Sequence, residues 1–287
     1  MSAEQLPIWT KDCVKGSLPK RGNGSHKGTY GTGLLLAGSE DMPGAALLAG
    51  IGAMRSGIGK LVIGTCGSAI PLIVPVLPEA TYWRDGAEKA ASGKIAEPYR
   101  AIAIGPGLLS SQMTEQAVRN VLAKDCPVVL DAGALSKRSY QEREAPVVLT
   151  PHPGEFSRMT GLSIREIEAN RAGYARDYAE EHGVTLVLKG NETIIAFPDG
   201  ECWRNVTGNG ALAKGGTGDT LTGMLLGMLL GMLCCHENPR EAVLNAVHLH
   251  GACADAWTKT RSAHTLLAHE LSDLLPTVWK GYEDGNE

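Results

Sequence analysis

Residues 101–155 read AIAIGPGLLSSQMTEQAVRNVLAKDCPVVLDAGALSKRSYQEREAPVVLTPHPGE, and this stretch decides the fold. It holds three short, unbroken apolar runs: Ala101-Ile102-Ala103-Ile104, Pro127-Val128-Val129-Leu130 and Pro146-Val147-Val148-Leu149. A strand with one wet face alternates apolar and polar residues, so runs without alternation are strands buried on both faces. Helical periodicity separates them over 111–124 and returns over 163–182. Buried strands alternating with helices make a mostly parallel, doubly wound α/β sheet flanked by helices. Ligands of such sheets gather at the carboxyl ends of the strands. Those ends carry Gly105-Pro106-Gly107, Asp131-Ala132-Gly133 and Thr150-Pro151-His152-Pro153-Gly154-Glu155, a rim of glycine and polar groups.

Upstream, Leu34-Leu35-Leu36-Ala37 and Leu61-Val62-Ile63-Gly64 read as further strands, with a small-residue helix over 44–56 between them. Its slim face (Ala45, Ala46, Ala49, Gly50, Ala53) permits tight packing or the close approach of a ligand, and packing is the expectation for most of these positions. Downstream, 184–189, 193–197 and 202–205 are strands joined by connections too short for a crossover. The edge near 184–205 is therefore expected to be antiparallel. Helices over about 217–235, 239–258 and 263–279 complete the chain. No linker or repeat interrupts it, so a polar, turn-rich arm (1–30) and a single domain (31–287) are expected.

One stretch promises chemistry. Residues 207–235 read TGNGALAKGGTGDTLTGMLLGMLLGMLCC, a glycine-rich loop running into an apolar helix that begins at about Thr217 to Thr220. Glycines let backbone N–H groups turn toward a ligand, and a helix start adds unpaired amides and the positive end of its dipole. Gly216, Thr217, Gly218 and Asp219 thus form a candidate anion hole for phosphate. Asp219 is out of place beside an anion unless it handles a proton or a hydroxyl. An ordinary turn, with Asp219 stabilised by the dipole, accounts for the same residues equally well. The helix carries Gly223, Gly227 and Gly231 at four-residue spacing. Its uncharged run, 221–235, is too short for a membrane span, which needs about 20 residues. It is expected in the core, its glycine face against the sheet.

The whole-chain balance agrees. Hydrophobic residues make up 43% and charged residues 20%, as in a globular protein with a sizeable core. A net charge of −4 argues against an electrostatic nucleic-acid binder. Seven scattered cysteines, an odd number without a C-x-x-C pair, suggest neither a disulfide framework nor a zinc site. The N-terminal residues lack the basic-then-apolar pattern of a signal peptide, so a cytoplasmic location is expected.

Taken together, these segments make the chain resemble the bacterial ADP-dependent NAD(P)H-hydrate dehydratases of the ribokinase-like superfamily. The matching segments are Gly38-Ser39 with Pro43-Gly44-Ala45-Ala46, Ile104 to Gly107, Leu130 to Leu135, Thr150 to Glu155, Lys189 to Thr193 and Gly215 to Asp219. The last is common to the superfamily; T-P-H-P-G-E combined with K-G-x-x-T is much narrower. Asn209-Gly210-Ala211-Leu212-Ala213 departs from the family's expected N-P-x-M-A.

The resemblance implies repair of a damaged cofactor. The S form of NADH hydrate or NADPH hydrate would lose its C6 hydroxyl as ADP is converted to AMP and phosphate. It further implies a ribokinase-like fold, Mg2+ as cofactor and ADP as co-substrate. Asp219 is implied as the catalytic residue. Ala45, Ala46, Gly107, His152 and Asp219 would face the hydrate, and Lys189, Gly190, Asn191, Glu192, Thr193 and Gly218 the nucleotide. Glu155 is a candidate metal ligand. A homo-oligomer and a separate epimerase chain are expected. Alternatives are a small-alcohol kinase of the hydroxymethylpyrimidine or hydroxyethylthiazole type and a non-catalytic nucleotide sensor.

Overall fold

The computed structural model describes residues 5–95, 98–140, 143–235 and 238–283. The side chains of residues 232–235 lie outside that description, and Cys234 and Cys235 with them. The strands are β1 (Thr32–Leu36), β2 (Lys60–Thr65), β3 (Thr81–Arg84), β4 (Ala101–Ile104), β5 (Val128–Leu130), β6 (Val147–Leu149), β7 (Thr185–Leu188), β8 (Ile194–Ala196) and β9 (Cys202–Arg204). They form one sheet in the order β3-β2-β1-β4-β5-β6-β7-β8-β9. Every pairing from β3 across to β7 is parallel, and β7-β8 and β8-β9 are antiparallel. The buried runs thus form the expected sheet and edge. β3 escaped the sequence reading because Thr81-Tyr82-Trp83-Arg84 is an outer strand with partly exposed side chains and no apolar run.

Numbered in chain order, the helices are α1 (Lys11–Ser17), α2 (Pro43–Arg55), α3 (Ile70–Ile73), α4 (Gly86–Ala91), α5 (Gln112–Leu122), α6 (Pro153–Thr160), α7 (Ile164–Ala169), α8 (Arg171–His182), α9 (Thr217–Cys235), α10 (Pro239–Thr258) and α11 (Ala268–Glu283). Alternate strand residues feed two cores. Leu35, Ala103 and Val129 meet the layer containing α2, α9, α10 and α11. Leu34, Leu36, Ile102, Ile104, Val128 and Leu130 meet the layer containing α4 to α8.

Three expectations change. The single helix over 163–182 breaks at Asn170 (φ −150°, ψ 54°), whose side chain accepts the Gly173 N–H and so starts α8 afresh. The last helix begins at Ala268, after a 3-10 turn over Ala263–Thr265, and runs on to Glu283. The glycine face of α9 lies against α2, not the sheet. A Cβ on Gly223 would sit 1.9 Å from the Ala49 carbonyl oxygen, and one on Gly227 2.4 Å from that of Ala53. From the other side, a Cβ on Gly52 would sit 2.6 Å from the Thr220 carbonyl oxygen. Small residues on both helices bring the backbones into contact, while Leu226 and Leu230 of α9 reach Gly33 of β1. Gly227→Leu should therefore destabilise by roughly 1–3 kcal/mol, because main chain has to give way. Chemical denaturation of the variant checks this, and wild-type stability would mean the helices separate freely.

Residues 7–9 pack on the antiparallel edge, whereas Arg21 reaches the Gly57 carbonyl beyond the end of α2. Arg204 N–H donates to the Pro7 carbonyl at 2.9 Å, and the Trp9 ring meets Trp203 edge-on at 5.2 Å. Trp9 Nε1 donates to Asn245 Oδ1 at 2.8 Å, and Trp9, Val14 and Leu18 join the core. Among the described residues no helix is long and apolar enough to cross a membrane.

Candidate active site

The glycine loop ends at Gly216 (φ +89°), whose carbonyl accepts the Thr220 N–H at 3.1 Å and starts α9. A side chain there would be strained, and its Cβ would fall 2.6 Å from Leu48 Cδ1. Thr217 Oγ1 donates within the loop to the Leu212 and Lys214 carbonyls. The amides of Thr217, Gly218 and Asp219 stand in the first turn, where the helix supplies no acceptor. Asp219 is half-buried, and among the described residues nothing hydrogen-bonds its carboxylate. Burial pushes its pKa up to about 6; the Asp131 charge adds to the rise, Lys189 opposes it and Glu155 adds again. A helix N-terminus alone would favour the ionised form, so Asp219 is a better base than its place on the helix suggests.

Asp131 was read from the sequence only as a rim residue, and it organises the site. It is buried at the end of β5. Its Oδ1 accepts from Lys189 Nζ at 3.0 Å and Thr150 Oγ1 at 2.8 Å, and its Oδ2 from Thr222 Oγ1 at 2.8 Å. Strands β5, β6 and β7 and helix α9 are thereby tied at one carboxylate. Burial works against the Lys189 ammonium, yet Asp131, Glu155 and Asp219 together hold its pKa above the ordinary value. A Cβ on Gly218 would lie 3.3 Å from Lys189 Nζ. The ammonium therefore stands at the glycine loop, among the carboxylates, where Lys189 also borders the cavity between the β7-β8 turn and α9.

His152 caps α6. Its Nδ1 accepts from the Gly154 and Glu155 amides at 3.0 and 3.3 Å, which leaves the proton on Nε2. Glu155 completes the capping box, its Oε2 accepting the His152 N–H at 2.8 Å. The His152 side chain remains 52% exposed, so its Nε2–H can serve a ligand while the other nitrogen holds the helix.

Beyond Lys189 a cavity of about 340 Å³ opens between the β7-β8 turn and α9. Lys189, Gly190, Asn191, Glu192, Thr193 and Gly218, the residues the resemblance assigns to the nucleotide, all line it. Gly190 (φ +152°) admits no side chain, since a Cβ would meet Arg171 Nη2 at 2.6 Å. The Arg171 guanidinium donates to the Leu188, Lys189 and Asn191 carbonyls and so shapes the turn from behind. Asn205, Thr207, Gly208 and His250 also line this cavity. They were missed because they come from the loop after β9 and from α10, with no shared motif. His250 Nε2 bonds the Thr217 carbonyl at 2.9 Å, and burial drives its pKa down to about 4, keeping the ring neutral. His248 lies between the Trp9 carbonyl and the Tyr282 hydroxyl. Both histidines are structural ties. Asn209, in the segment that departs from the family pattern, donates to Asp255 and Thr258.

On the other side of the loop, Gly107 (φ +67°) comes so close to α2 that a Cβ would meet Ala45 Cβ at 2.7 Å and the Met42 carbonyl oxygen at 2.9 Å. Ala45 borders this surface, whereas Ala46 is fully buried and shapes the wall from behind. Leu48, one turn along α2, reaches Gly216 and joins this wall to the Asp219 loop.

Among the described residues no three His, Cys, Asp or Glu side chains converge as a metal cage. The donors suit Mg2+ of the kind held mostly by phosphate oxygens and water, which needs only one or two carboxylates. Both Asp131 oxygens are already engaged, which leaves Asp219 and Glu155 as the candidates.

A parallel sheet with its glycine loop and carboxylate at the head of a buried helix is the ribokinase-like arrangement. A ribokinase-like superfamily protein of Enterococcus faecalis superimposes with a TM-score of 0.83 at 30% identity, 96% of each chain being covered. Within that class the chain belongs to the NAD(P)H-hydrate dehydratase family, whose model matches residues 33–277. It is 68% identical to the ADP-dependent (S)-NAD(P)H-hydrate dehydratase of Bacillus subtilis over 97% of this chain and 99% of that one. The crystal structure of the ADP/ATP-dependent NAD(P)H-hydrate dehydratase from Bacillus subtilis, co-crystallised with ATP/Mg2+, has a TM-score of 0.95 and covers 98% of this chain and 100% of that one.

Proposed function

We propose that this chain dehydrates the S form of NADH hydrate or NADPH hydrate to NAD(P)H, converting ADP to AMP and phosphate. The observation that carries the chemistry is Asp219, with its pKa raised to about 6, at the mouth of the amide-lined loop beside Lys189. Hydroxide is a poor leaving group and a phosphate ester a good one. Asp219 takes the proton of the C6 hydroxyl as its oxygen bonds the terminal phosphorus of ADP and the bond to AMP breaks. The loop amides and the Lys189 ammonium hold the charge of the moving phosphoryl group. The ring nitrogen's lone pair then expels phosphate from C6, and loss of a C5 proton restores the dihydropyridine. His152 Nε2–H, Ala45 and Gly107 contact the hydrate. Mg2+, when bound, neutralises phosphate charge.

Hydrated NADH, ADP, Mg2+ and protein should recover absorbance at 340 nm, and chelating the metal should stop the recovery. A phosphorylated small alcohol without that recovery would favour the kinase reading, and binding without turnover the sensor. The same reading carries a homo-oligomer, which light scattering detects, and a separate epimerase chain for the other hydrate epimer.

The cavity beyond Lys189 takes the adenosine end of ADP. Thr193 Oγ1 donates to the Gly190 carbonyl at 3.3 Å and lines that cavity. A neutral hydrogen bond contributes about 0.5–1.5 kcal/mol. Thr193→Val should therefore raise the KM for ADP several-fold to about tenfold, with the KM for hydrate and the kcat at saturating ADP near wild type. Gly190→Val should harm ADP binding more. A change confined to the hydrate KM would exchange the two ligand positions.

A further inference from the structure

Dehydration requires two nucleotides at once, and a dinucleotide hydrate brings an adenosine half of its own. The cavity beside Thr193 accommodates only one nucleoside. Following the strand ends away from it, the site passes Asp131 after β5 and Gly107 after β4. A second cavity of about 330 Å³ opens farther along, at the ends of β1, β2 and β3. Its volume is at the lower end for small-molecule pockets, about 300 Å³. Gly38 and Leu108 line it and flank Gly107, and the Gly38 N–H donates to the Pro106 carbonyl at 2.8 Å. From β4 to β3 is three strand spacings, roughly 14 Å, a separation that the two nucleosides of an extended dinucleotide can bridge.

The groups in this cavity are acidic. Asp85 follows β3 directly, and its Oδ1 accepts the Gly67 N–H at 3.0 Å, which fixes the carboxylate; among the described residues Oδ2 has no hydrogen-bond partner. Glu40 and Glu88 stand on the same walls. A fixed carboxylate at the end of a parallel strand suits a ribose diol, whose hydroxyls donate to it, and repels a 2′-phosphate. Arg84 lies over Gly67, its guanidinium carbon 3.5 Å from where a Cβ there would stand, and the carboxylates of Asp85, Glu40 and Glu88 outnumber it.

We propose that this cavity holds the adenosine ribose of the hydrate and that Asp85 makes the chain select NADH hydrate over NADPH hydrate. This rests on the dehydratase reading and adds the substrate form to it. The test measures kcat/KM for both hydrates at saturating ADP, in wild type and in Asp85→Asn, which keeps the Gly67 contact and tolerates φ +53°. Wild type should prefer NADH hydrate by tenfold or more. Asp85→Asn should shrink that ratio at least fivefold, lowering the NADH form and raising the NADPH form, with the KM for ADP unmoved. Glu88→Gln, at an exposed position, should move the ratio the same way by a smaller factor. A wild-type ratio near one, or equal losses on both hydrates, overturns the proposal. If neither hydrate is turned over, the dehydratase reading fails, and calorimetric titration of ADP-saturated protein with NAD+ and NADP+ decides the subsite separately. Tighter NAD+ binding that Asp85→Asn weakens supports it, and equal affinities overturn it.

Discussion

Asp219→Asn should reduce kcat by 10² or more while leaving the affinity for ADP nearly unchanged. The substitution keeps the shape of the side chain and removes the charge that takes up the hydroxyl proton in the proposed mechanism, and general-base contributions run about 10² to 10⁴. The wild-type kcat/KM for hydrate should fall below pH about 6, the value to which burial and the Asp131 charge raise Asp219. That limb should be absent from the residual activity of the variant. The folded protein holds this proton more tightly than the unfolded chain, whose value is near 3.8. The group's contribution to stability is thus fully present below about 3.8 and lost as pH rises through about 6. At pH 8 the variant, free of this charge, should be at least as stable as wild type. An inactive protein that melts no lower separates chemistry from misfolding. Retention of more than a tenth of wild-type kcat would falsify the assignment.

Lys189→Met should destabilise by about 3 kcal/mol and abolish turnover. Losing one partner of a buried pair costs about 3–5 kcal/mol, because the other charge is left in the interior. The lower end applies because Lys189 keeps 20% side-chain exposure and Asp131 retains the Thr150 and Thr222 hydroxyls. Adding Asp131→Asn removes the stranded charge, so the double variant should recover part of the loss without recovering activity. Urea unfolding of the four proteins measures the coupling. A single variant within about 1 kcal/mol of wild type would mean that Asp131 is held by its threonines alone.

The parallel sheet was legible because a strand buried on both faces cannot hide its apolar run. Ile102, Val129 and Val148 announce it without help from tertiary contacts. β3 was not legible, since an outer strand such as Thr81–Arg84 needs no such run. The glycines of α9 revealed that something passes close but not what, because close approach to a helix and to a sheet demand the same absence of Cβ. In the site, the glycine loop, His152 and the Lys189–Thr193 turn carry local patterns. Asp131 and Thr222 are 91 residues apart, and no local signal reports that they meet. Lys189 was read with its turn as part of the nucleotide site, and its ion pair with Asp131 stayed hidden, since sequence places its backbone but not the direction of its ammonium.

The backbone contact between α2 and α9 also limits redesign. Ala45 stands on one helix and Asp219 on the other, and atomic radii of the main chain, not side-chain choices, set the distance between them. Substitutions along Ala49, Gly52, Ala53, Gly223 and Gly227 can only lose that spacing, so these positions offer no room for tuning. An engineer seeking to admit a bulkier hydrate would gain nothing by shifting these helices. The room has to come from trimming the loops that follow β1, β2 and β3, where no such ruler operates.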